Sequence, residues 1–317
     1  ARNNHYPNFQ QAMRNNPTRS PYDPDSETGY NVWINESLDY NVVADAMLED
    51  YYGLDKWFKP EVNLKLNIKP IPGLNYQQVV GYENRQWELH QYWPSTHRSE
   101  IDNSRKGHAH LAFSKTENLT SEGYFSYVKD FKGGHNLNAT AGYSYFEVNG
   151  ENFGMDNYNF SVDGIKYWDI GQGSYLTDGK AGMSSGKSVT ERLFSFFARA
   201  NYSYQDKYML SASIRHEGSS KFAADNRWAN FWSATAGWRI SNEEFMKDFD
   251  WLDDLKIRFG YGVTGNNDFS ATYMANMLGS DTNWMMPNGT WAYSYGKSQN
   301  VNPNLGWEEK KEWNLGV

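Results

Sequence analysis

Few side chains in this sequence are grouped in a way that supports acid–base or metal chemistry. His108 and His110 stand two residues apart, so on a strand they would share a face and offer two nitrogen ligands to a metal. No third ligand follows nearby, and hydrated imidazoles are the favoured interpretation. Adjacent acids occur at Asp253–Asp254, Glu243–Glu244 and Glu308–Glu309. Neighbours on a strand point to opposite faces, so these pairs cannot flank one glycosidic bond. We predict no catalytic residue, no metal site and no cofactor.

Two other groups of residues suit binding. Aromatic rings in polar, loop-like stretches offer stacking faces for sugars or peptide side chains, and the alternative is that these loops pack on one another. The rings are Trp87, Tyr92, Trp93, Trp284, Trp291, Tyr293 and Tyr295. Basic residues recur on the polar side of neighbouring alternating runs, where they form either a hydrated wall or partners for acids elsewhere. They are Arg199, Arg215, Arg239, Lys256 and Arg258.

The segments that carry the basic residues have the period-2 alternation of β-strands. Four runs show it clearly, at residues 194–204, 208–215, 232–240 and 255–263. In the first, Phe194, Phe196 and Ala198 lie opposite Ser195, Phe197 and Arg199. No charge falls on any of the four apolar faces, and every opposite face carries a basic residue. The four runs therefore predict one continuous sheet with an apolar and a polar side.

An apolar sheet face can meet either a protein core or lipid. Three features favour lipid. The runs are roughly 10 residues long, as a tilted transmembrane strand requires. Tyr and Trp cluster at their ends, where amphipathic rings suit the membrane interface. Short connections such as 205–207 alternate with long ones such as 217–227, as in barrels with tight inner turns and long outer loops.

Several long blocks also resemble a known family. The blocks are NYSYQDKYMLSASIRHEGSSKF, NRWANFWSATAGWRISNEEFM, WLDDLKIRFGYGVTGNN, FQQAMRNNPTRSPYD and NPNLGWEEKKEWNLGV. They are similar to barrel motifs of the SusC/RagA family of TonB-dependent outer-membrane transporters, and they cover both ends and the middle of the chain. The expected fold is all-β, with roughly nine strands of a large antiparallel transmembrane barrel of about 22 strands and long extracellular loops.

The resemblance implies more than a fold. Residues 1–317 would be a portion of one barrel domain, with the plug domain, the N-terminal region and the C-terminal strands outside this sequence. It implies a TonB-energised importer of oligosaccharides or peptides in the outer membrane of a Gram-negative bacterium. A SusD-like surface lipoprotein would close it, and TonB would act through the missing N-terminal part. The aromatic loops would then contact substrate or lid, and the basic set would face the lumen or the plug.

Composition removes several function classes. The net charge of −8 argues against a nucleic-acid partner, which requires a basic surface. No cysteine is present, so disulfide frameworks and thiol catalysis are excluded. No run of apolar residues is long enough for a membrane helix. Long loops are expected at residues 84–106, 149–190 and 268–300, and one helical turn at 42–49.

One alternative from another class fits the same alternation. A secreted or surface-exposed all-β carbohydrate-binding protein without transport activity would pack the apolar strand faces into a closed core. Such a protein would stay soluble without detergent, whereas a barrel needs a lipid substitute around its outer face. Detergent-free extraction separates the two interpretations.

Overall fold

The computed structural model describes residues 12–13, 18–32, 40–246, 249, 251–269, 278–297 and 302–317, and of these 278–284 and 293–297 by backbone alone. This part of the chain is built mainly of strands. They are β1 (Asp50–Phe58), β2 (Glu61–Asn67), β3 (Leu74–Trp93), β4 (His108–Phe131), β5 (His135–Tyr158), β6 (Gly182–Lys187), β7 (Glu191–Tyr204), β8 (Tyr208–Ser219), β9 (Trp228–Arg239), β10 (Lys256–Asn266), β11 (Leu278–Met285), β12 (Trp291–Lys297) and β13 (Glu308–Gly316).

Helical structure is minor. The α-helices are α1 (Val42–Leu48) and α2 (Arg98–Asp102). Short 3₁₀ segments occupy Asp163–Gln172, Ala224–Asn226, Ile240–Asn242 and Glu244–Met246. Helix α1 confirms the helical turn expected at residues 42–49, and its N-terminus is capped by the Asn41 side chain, which accepts from the amide of Val43. No helix in the described ranges is long and apolar enough to cross a membrane.

One antiparallel sheet contains eleven of the strands, in the order β1-β3-β4-β5-β7-β8-β9-β10-β13, with β2 also paired to β3 and β6 to β5. β1 and β2 pair with different stretches of β3 and are separated by Lys59 and Pro60. Proline has no amide hydrogen to donate, so the ladder is interrupted there. The nine positions along the sheet confirm the expected strand number, and the sheet is not closed within the described residues.

The chain divides into two compact units. Unit 1 comprises residues 1–58, 84–116 and 150–187, and unit 2 comprises residues 59–83, 117–149 and 188–317. Strands β3, β4 and β5 supply residues to both units. The hairpin β11–β12 forms a separate two-stranded sheet.

Unit 2 has the two-sided sheet that the alternation predicts. The register places Tyr208 opposite Trp238 and Ile214 opposite Trp232 on one face, and pairs polar residues on the other. Apolar side chains stay open on the first face, where Phe196 is 54% exposed. On the polar face Ser195 is fully buried and its hydroxyl lies 2.8 Å from that of Ser144. Among the described residues, no second layer covers the apolar face as a soluble sandwich would require.

Gln78 is the polar exception on the apolar face of β3. Its Oε1 accepts from the hydroxyls of Tyr76 at 2.6 Å and Tyr143 at 3.1 Å, and its Nε2 donates to Ser121 Oγ at 3.1 Å. Gly123 leaves the space for this cluster, since a Cβ there would lie 2.6 Å from Gln78 Oε1. The amide is therefore hydrogen-bonded on both ends, which removes the penalty of an unsatisfied polar group on an apolar surface.

The short turns of unit 2 are set by backbone geometry. Gln205 and Asp206 both have positive φ, at 50° and 58°, and close the β7–β8 turn. Gly73 has φ 91° in the β2–β3 turn, and its carbonyl accepts from Val128 of β4 at 3.0 Å. A Cβ at Gly73 would lie 2.1 Å from the Val128 carbonyl oxygen. Only glycine fits where this turn meets the neighbouring strand.

Unit 1 has a buried core. Tyr92, Ala109, Phe160 and Tyr167 form it, and Ile165 is among the residues packed against it. The expected loop at residues 84–106 is wrong for its first half, because β3 continues to Trp93 and pairs with β1. The expected loop at 149–190 likewise contains the end of β5, the strand β6 and a 3₁₀ segment, and the one at 268–300 contains β11 and β12. Polar residues on both strand faces hid these extensions from a periodicity argument.

Candidate functional site

The first three rings predicted to contact ligand lie on β3 in unit 1, so their assignment to a loop is wrong. Tyr92 is 1% exposed and packs edge-on against Phe160, with ring centroids 5.6 Å apart. Trp87 is half-buried opposite Asp55 of β1. Strand pairing with β1 therefore places these rings, and Tyr92 belongs to the core.

Asp163 fixes the 3₁₀ segment Asp163–Gln172 to the end of β3. Its carboxylate accepts from the Tyr92 hydroxyl at 2.7 Å, from the Ser95 amide at 3.0 Å and from the Ser95 hydroxyl at 2.7 Å. Burial, together with the hydrogen bond to Asp163, raises the pKa of Tyr92 far above its ordinary value. Tyr92 thus stays protonated and donates to Asp163.

Trp93 belongs to a stack of three rings. Its indole lies on the imidazole of His108 at 4.6 Å and 21°, and that imidazole lies on Tyr158 at 4.2 Å and 24°. The guanidinium of Arg105 covers the Tyr158 ring at 4.4 Å. Arg105 also pairs at 2.9 Å with Glu100, whose side chain is fully buried. One face of Trp93 is therefore occupied by the protein itself.

His108 and His110 do share a face, as their spacing predicts, and both point at one carboxylate. His108 Nε2 and His110 Nδ1 each lie 2.8 Å from Asp156 Oδ1. Burial opposes ionisation of Asp156, but the hydrogen bonds from the two imidazoles outweigh it and lower its pKa well below the usual range. The described residues contain no group of three side chains placed to hold a metal ion. The arrangement is a histidine–carboxylate cluster that ties β4 to β5.

The other four rings lie on the β11–β12 hairpin. Trp291, the first residue of β12, is 67% exposed. Trp284, Tyr293 and Tyr295 have described backbone positions in the hairpin ladder, and their side chains lie outside the described part of the structure. Of the seven predicted rings, Trp291 is thus the one that the structure shows to be largely open.

All five basic residues lie on the polar face of unit 2, but their surroundings differ. Arg215 pairs with Glu217 at 3.0 Å and donates to Ser144 Oγ at 3.0 Å. Arg239 approaches Asp206 at 3.5 Å and Asp254 at 3.4 Å. These two charges are balanced by acids of the same chain.

Arg199, Lys256 and Arg258 have no ion-pair partner among the described residues. Lys256 and Arg258 line a cavity of about 490 Å³ together with Asn201, Ser211 and Thr235. Two acids also border this cavity, and one of them, Asp206, is the partner of Arg239. The polar face therefore presents ammonium, guanidinium and amide groups that could contact a plug domain or a ligand in the lumen.

Glu243, from one of the adjacent acidic pairs, is held by three hydrogen bonds. Glu243 accepts from Lys207 Nζ at 3.0 Å, Tyr208 Oη at 2.7 Å and Trp238 Nε1 at 3.0 Å. Its pKa is lowered to about 2 by the hydrogen bond from Tyr208, followed by those from Lys207 and Trp238. Glu243 is a structural anchor of the β9–β10 connection.

Comparison with known proteins establishes the family. The family described as "TonB dependent receptor-like, beta-barrel" matches residues 1–317, the whole chain. The chain belongs to this family. The match decides in favour of the barrel over a soluble all-β sandwich, and it confirms the resemblance stated from the sequence blocks.

Curated relatives of this TonB-dependent receptor barrel are much longer. TonB-dependent receptor P39 of Formosa agariphila is 30% identical over 264 residues, which are 80% of this chain and 23% of that receptor. TonB-dependent receptor SusC of Bacteroides thetaiotaomicron is 36% identical over 144 residues, which are 44% of this chain and 14% of SusC. The chain spans about a quarter of the length of the first of these relatives. Their names are those of receptors, not of enzymes.

Solved structures of similar fold include a peptide transport system. The RagAB peptide transporter superposes with a TM-score of 0.76 at 21% identity, covering 93% of this chain and 32% of that one. The RagAB peptide importer in its open-open state gives a TM-score of 0.75 at 21% identity, covering 93% and 31%. At this identity the likeness establishes the barrel-type fold and no more.

Proposed function

We propose that this chain forms part of the wall of an outer-membrane importer for large nutrients, either oligosaccharides or peptides. The observation that carries the proposal is the two-sided sheet of unit 2 within a chain that matches the receptor-barrel family from end to end. An apolar face open on one side and a polar, basic face on the other is what a barrel needs between lipid and an aqueous lumen.

The proposed system has partners outside this sequence. A SusD-like surface lipoprotein would close the external mouth, and TonB would deliver energy through a part of the parent chain that lies outside these residues. Two similar proteins support this by name, since one is SusC and the other is the RagAB assembly, described as a peptide transporter. The localisation that follows is the outer membrane of a Gram-negative bacterium.

The basic residues would line the lumen in this proposal. Arg215 and Arg239 are balanced by their own chain and would form the hydrated wall. Lys256 and Arg258, which line the cavity, would meet acidic groups of a plug, and so would Arg199 on the polar face of β7. The exposed Trp291 and the half-buried Trp87 and Trp93 would lie near ligand or lid, and this remains a prediction.

The test uses the full parent protein in its native cells. We expect it to fractionate with outer membranes, to require detergent for extraction, and to bring a surface lipoprotein with it on mild solubilisation. Deletion of the parent gene should abolish growth on one class of polymer-derived nutrient while growth on its monomers is kept. Extraction without detergent as a folded monomer would contradict the membrane assignment. Growth unchanged on every oligosaccharide and peptide source would contradict import.

A further inference from the structure

Unit 1 carries an exposed indole that the sequence pattern did not single out. Trp168 lies in the 3₁₀ segment Asp163–Gln172 and is 76% exposed. Its neighbour Tyr167 is 8% exposed and belongs to the core of unit 1. The two consecutive rings pack on one another, with centroids 4.9 Å apart and planes tilted by 54°, so the buried ring supports one side of the exposed one. Burial of Tyr167 fixes the position from which Trp168 projects.

The backbone reaches this arrangement through an unfavourable conformation. Lys166 has φ 53° and ψ −140°, in a region that residues other than glycine rarely adopt. Its ammonium group forms an ion pair with Asp50 at the start of β1, which holds the segment against the sheet. Asp169, on the other side of the two rings, also departs from helical geometry. Strain kept at a non-glycine position beside an open ring indicates that the position of the ring matters.

The open indole lies next to two further rings. His90 of β3 contacts Tyr167 at 5.3 Å, Trp168 at 6.5 Å and Tyr52 of β1 at 5.6 Å, each nearly edge-on. These contacts support the Trp168 indole from one side, and its 76% exposure leaves the greater part of the ring open. Tyr52 is 42% exposed. Neither the Trp168 indole N–H nor the Tyr52 hydroxyl has a hydrogen-bond partner among the described residues.

The rim of this surface is polar, and the cation that the described residues place there, Lys166, is already paired. Lys166 is neutralised by Asp50, and Asp169 accepts from Gln172 Nε2 at 3.1 Å while remaining exposed. Within the described part of the chain, this surface has no free cation to hold an acidic side chain or a peptide C-terminus. It has no enclosed apolar pocket for a peptide side chain either, among the described residues lining it. It does offer a flat apolar face bordered by hydrogen-bond donors and a carboxylate acceptor.

We propose that Trp168, together with Tyr52 and His90, is a stacking subsite for a saccharide ring. The C–H face of a pyranose would lie on the indole, and its hydroxyls would bond to Tyr52 Oη, Trp168 Nε1 and the Asp169 carboxylate. This inference rests on the proposed import function and assigns it a saccharide ligand. It also moves the stacking role away from Tyr92, which is buried, and from Trp93, which stacks on His108.

The experiment measures saccharide binding by the full-length parent protein in lipid nanodiscs. An array of purified oligosaccharides of defined linkage is screened first, and the affinity for the strongest binder is then measured by calorimetry. We expect Trp168→Ala to weaken binding about tenfold or more, the equivalent of one lost stacking contact, and Trp168→Phe to keep most of it. Trp251→Ala is the matched control, because that indole is also largely exposed but lies in the β9–β10 connection of unit 2. It should leave the affinity unchanged.

Three outcomes would overturn the subsite. One is saccharide binding that is the same in Trp168→Ala and the wild type, or no saccharide binding at all. Another is a Trp168-dependent affinity for peptides of a protein digest instead of saccharides. The third is loss of hydrogen-exchange protection across unit 1 in Trp168→Ala, which would mean that the indole is covered by the rest of the parent chain. If saccharide binding does not depend on Trp168 but the variant still takes up nutrient, the proposed import function is kept and only the subsite is contradicted.

Discussion

Unit 1 and unit 2 share three strands, yet they place their aromatic side chains in opposite ways. In unit 1 the rings of Tyr92, Phe160 and Tyr167 are buried against one another. In unit 2 Phe196 and Trp232 lie exposed on one face of the sheet. Unit 1 therefore carries its own core, whereas the apolar face of unit 2 needs an apolar surrounding. A single strand can contribute to both units because the side chains along it differ, while its backbone pairing stays the same.

The largest expected effect comes from removing a buried ring from the core of unit 1. Tyr92→Ala should destabilise unit 1 by roughly 3–5 kcal/mol, as large-to-small changes of buried aromatics do. It also removes the donor to Asp163, which adds to the loss. Hydrogen exchange on the full-length protein in nanodiscs should show faster exchange only in unit 1, at residues 50–58, 84–116 and 150–187. Met183→Ala, at a side chain that is 78% exposed, is the control. Equal loss of protection in β7–β10 would show that the two units do not differ in this way.

A charge on the apolar face tests the other side of the comparison. Ala234→Arg in the middle of β9 should cost about 2–4 kcal/mol in lipid vesicles, because the guanidinium must enter hydrocarbon. Thr235→Arg, on the polar face of the same strand, should cost little. Ser195 is not a suitable control, since it is fully buried and lies 2.8 Å from Ser144. Urea titrations of refolding into vesicles measure both variants. Equal losses of stability in the two variants would contradict the assignment of one face to lipid and the other to the lumen.

Gln78→Leu tests the polar group on the apolar face of β3, where two effects on stability oppose each other. Leucine suits lipid better than an amide, but its introduction leaves the hydroxyls of Tyr76 and Tyr143 without their acceptor. We expect a net destabilisation of about 1 kcal/mol. Adding Tyr76→Phe and Tyr143→Phe removes the unsatisfied donors and should restore stability to the wild-type level or above. A stabilising effect of Gln78→Leu alone would mean that the cluster contributes nothing.

The smallest expected effect concerns pH. The pKa of Glu243 is about 2 in the folded state, below the ordinary value for a glutamate. Its contribution to stability is therefore complete above the ordinary pKa and is lost as the pH falls toward 2. Thermal unfolding of the wild type between pH 5 and pH 2 should show a larger decline than that of Glu243→Gln. Parallel declines in the two proteins would remove Glu243 as the anchor of this connection.

Period-2 alternation predicts both faces of β7 to β10 because each residue type there agrees with its environment. Trp232 and Trp238 are outward and open, whereas Arg215 and Arg239 are on the polar face with their acids. The strand positions follow as well, since turn residues such as Gly73 separate the alternating runs.

The extension of β3 to Trp93 could not be predicted in the same way. Its partner, β1, lies in a stretch with no clean alternation, and both faces of residues 84–93 carry polar side chains. Tertiary pairing, not local pattern, creates this part of the sheet. Trp168 was missed for a related reason, because its position depends on Tyr167 packing with core residues that are far away in the sequence, such as Tyr92. Alternation does not explain Gln78 on the apolar face of β3, whereas its hydrogen-bond partners do.

The sheet order has a kinetic consequence. From β7 to β10 each strand pairs with the next one in the chain, so these hairpins close over short connections and can form one after another. Three pairings in the sheet skip an intervening strand. The pairing of β1 with β3 encloses only the β2 hairpin, whereas two others enclose longer segments of the chain. They are β5 with β7, where Val148 meets Glu191, and β10 with β13, where Asn266 meets Glu308. Closing these longer loops costs more chain entropy before any contact is gained, so both should form late. Until then the edges of β7 and β10 stay unpaired, and these are the points at which a folding chaperone would have most to protect.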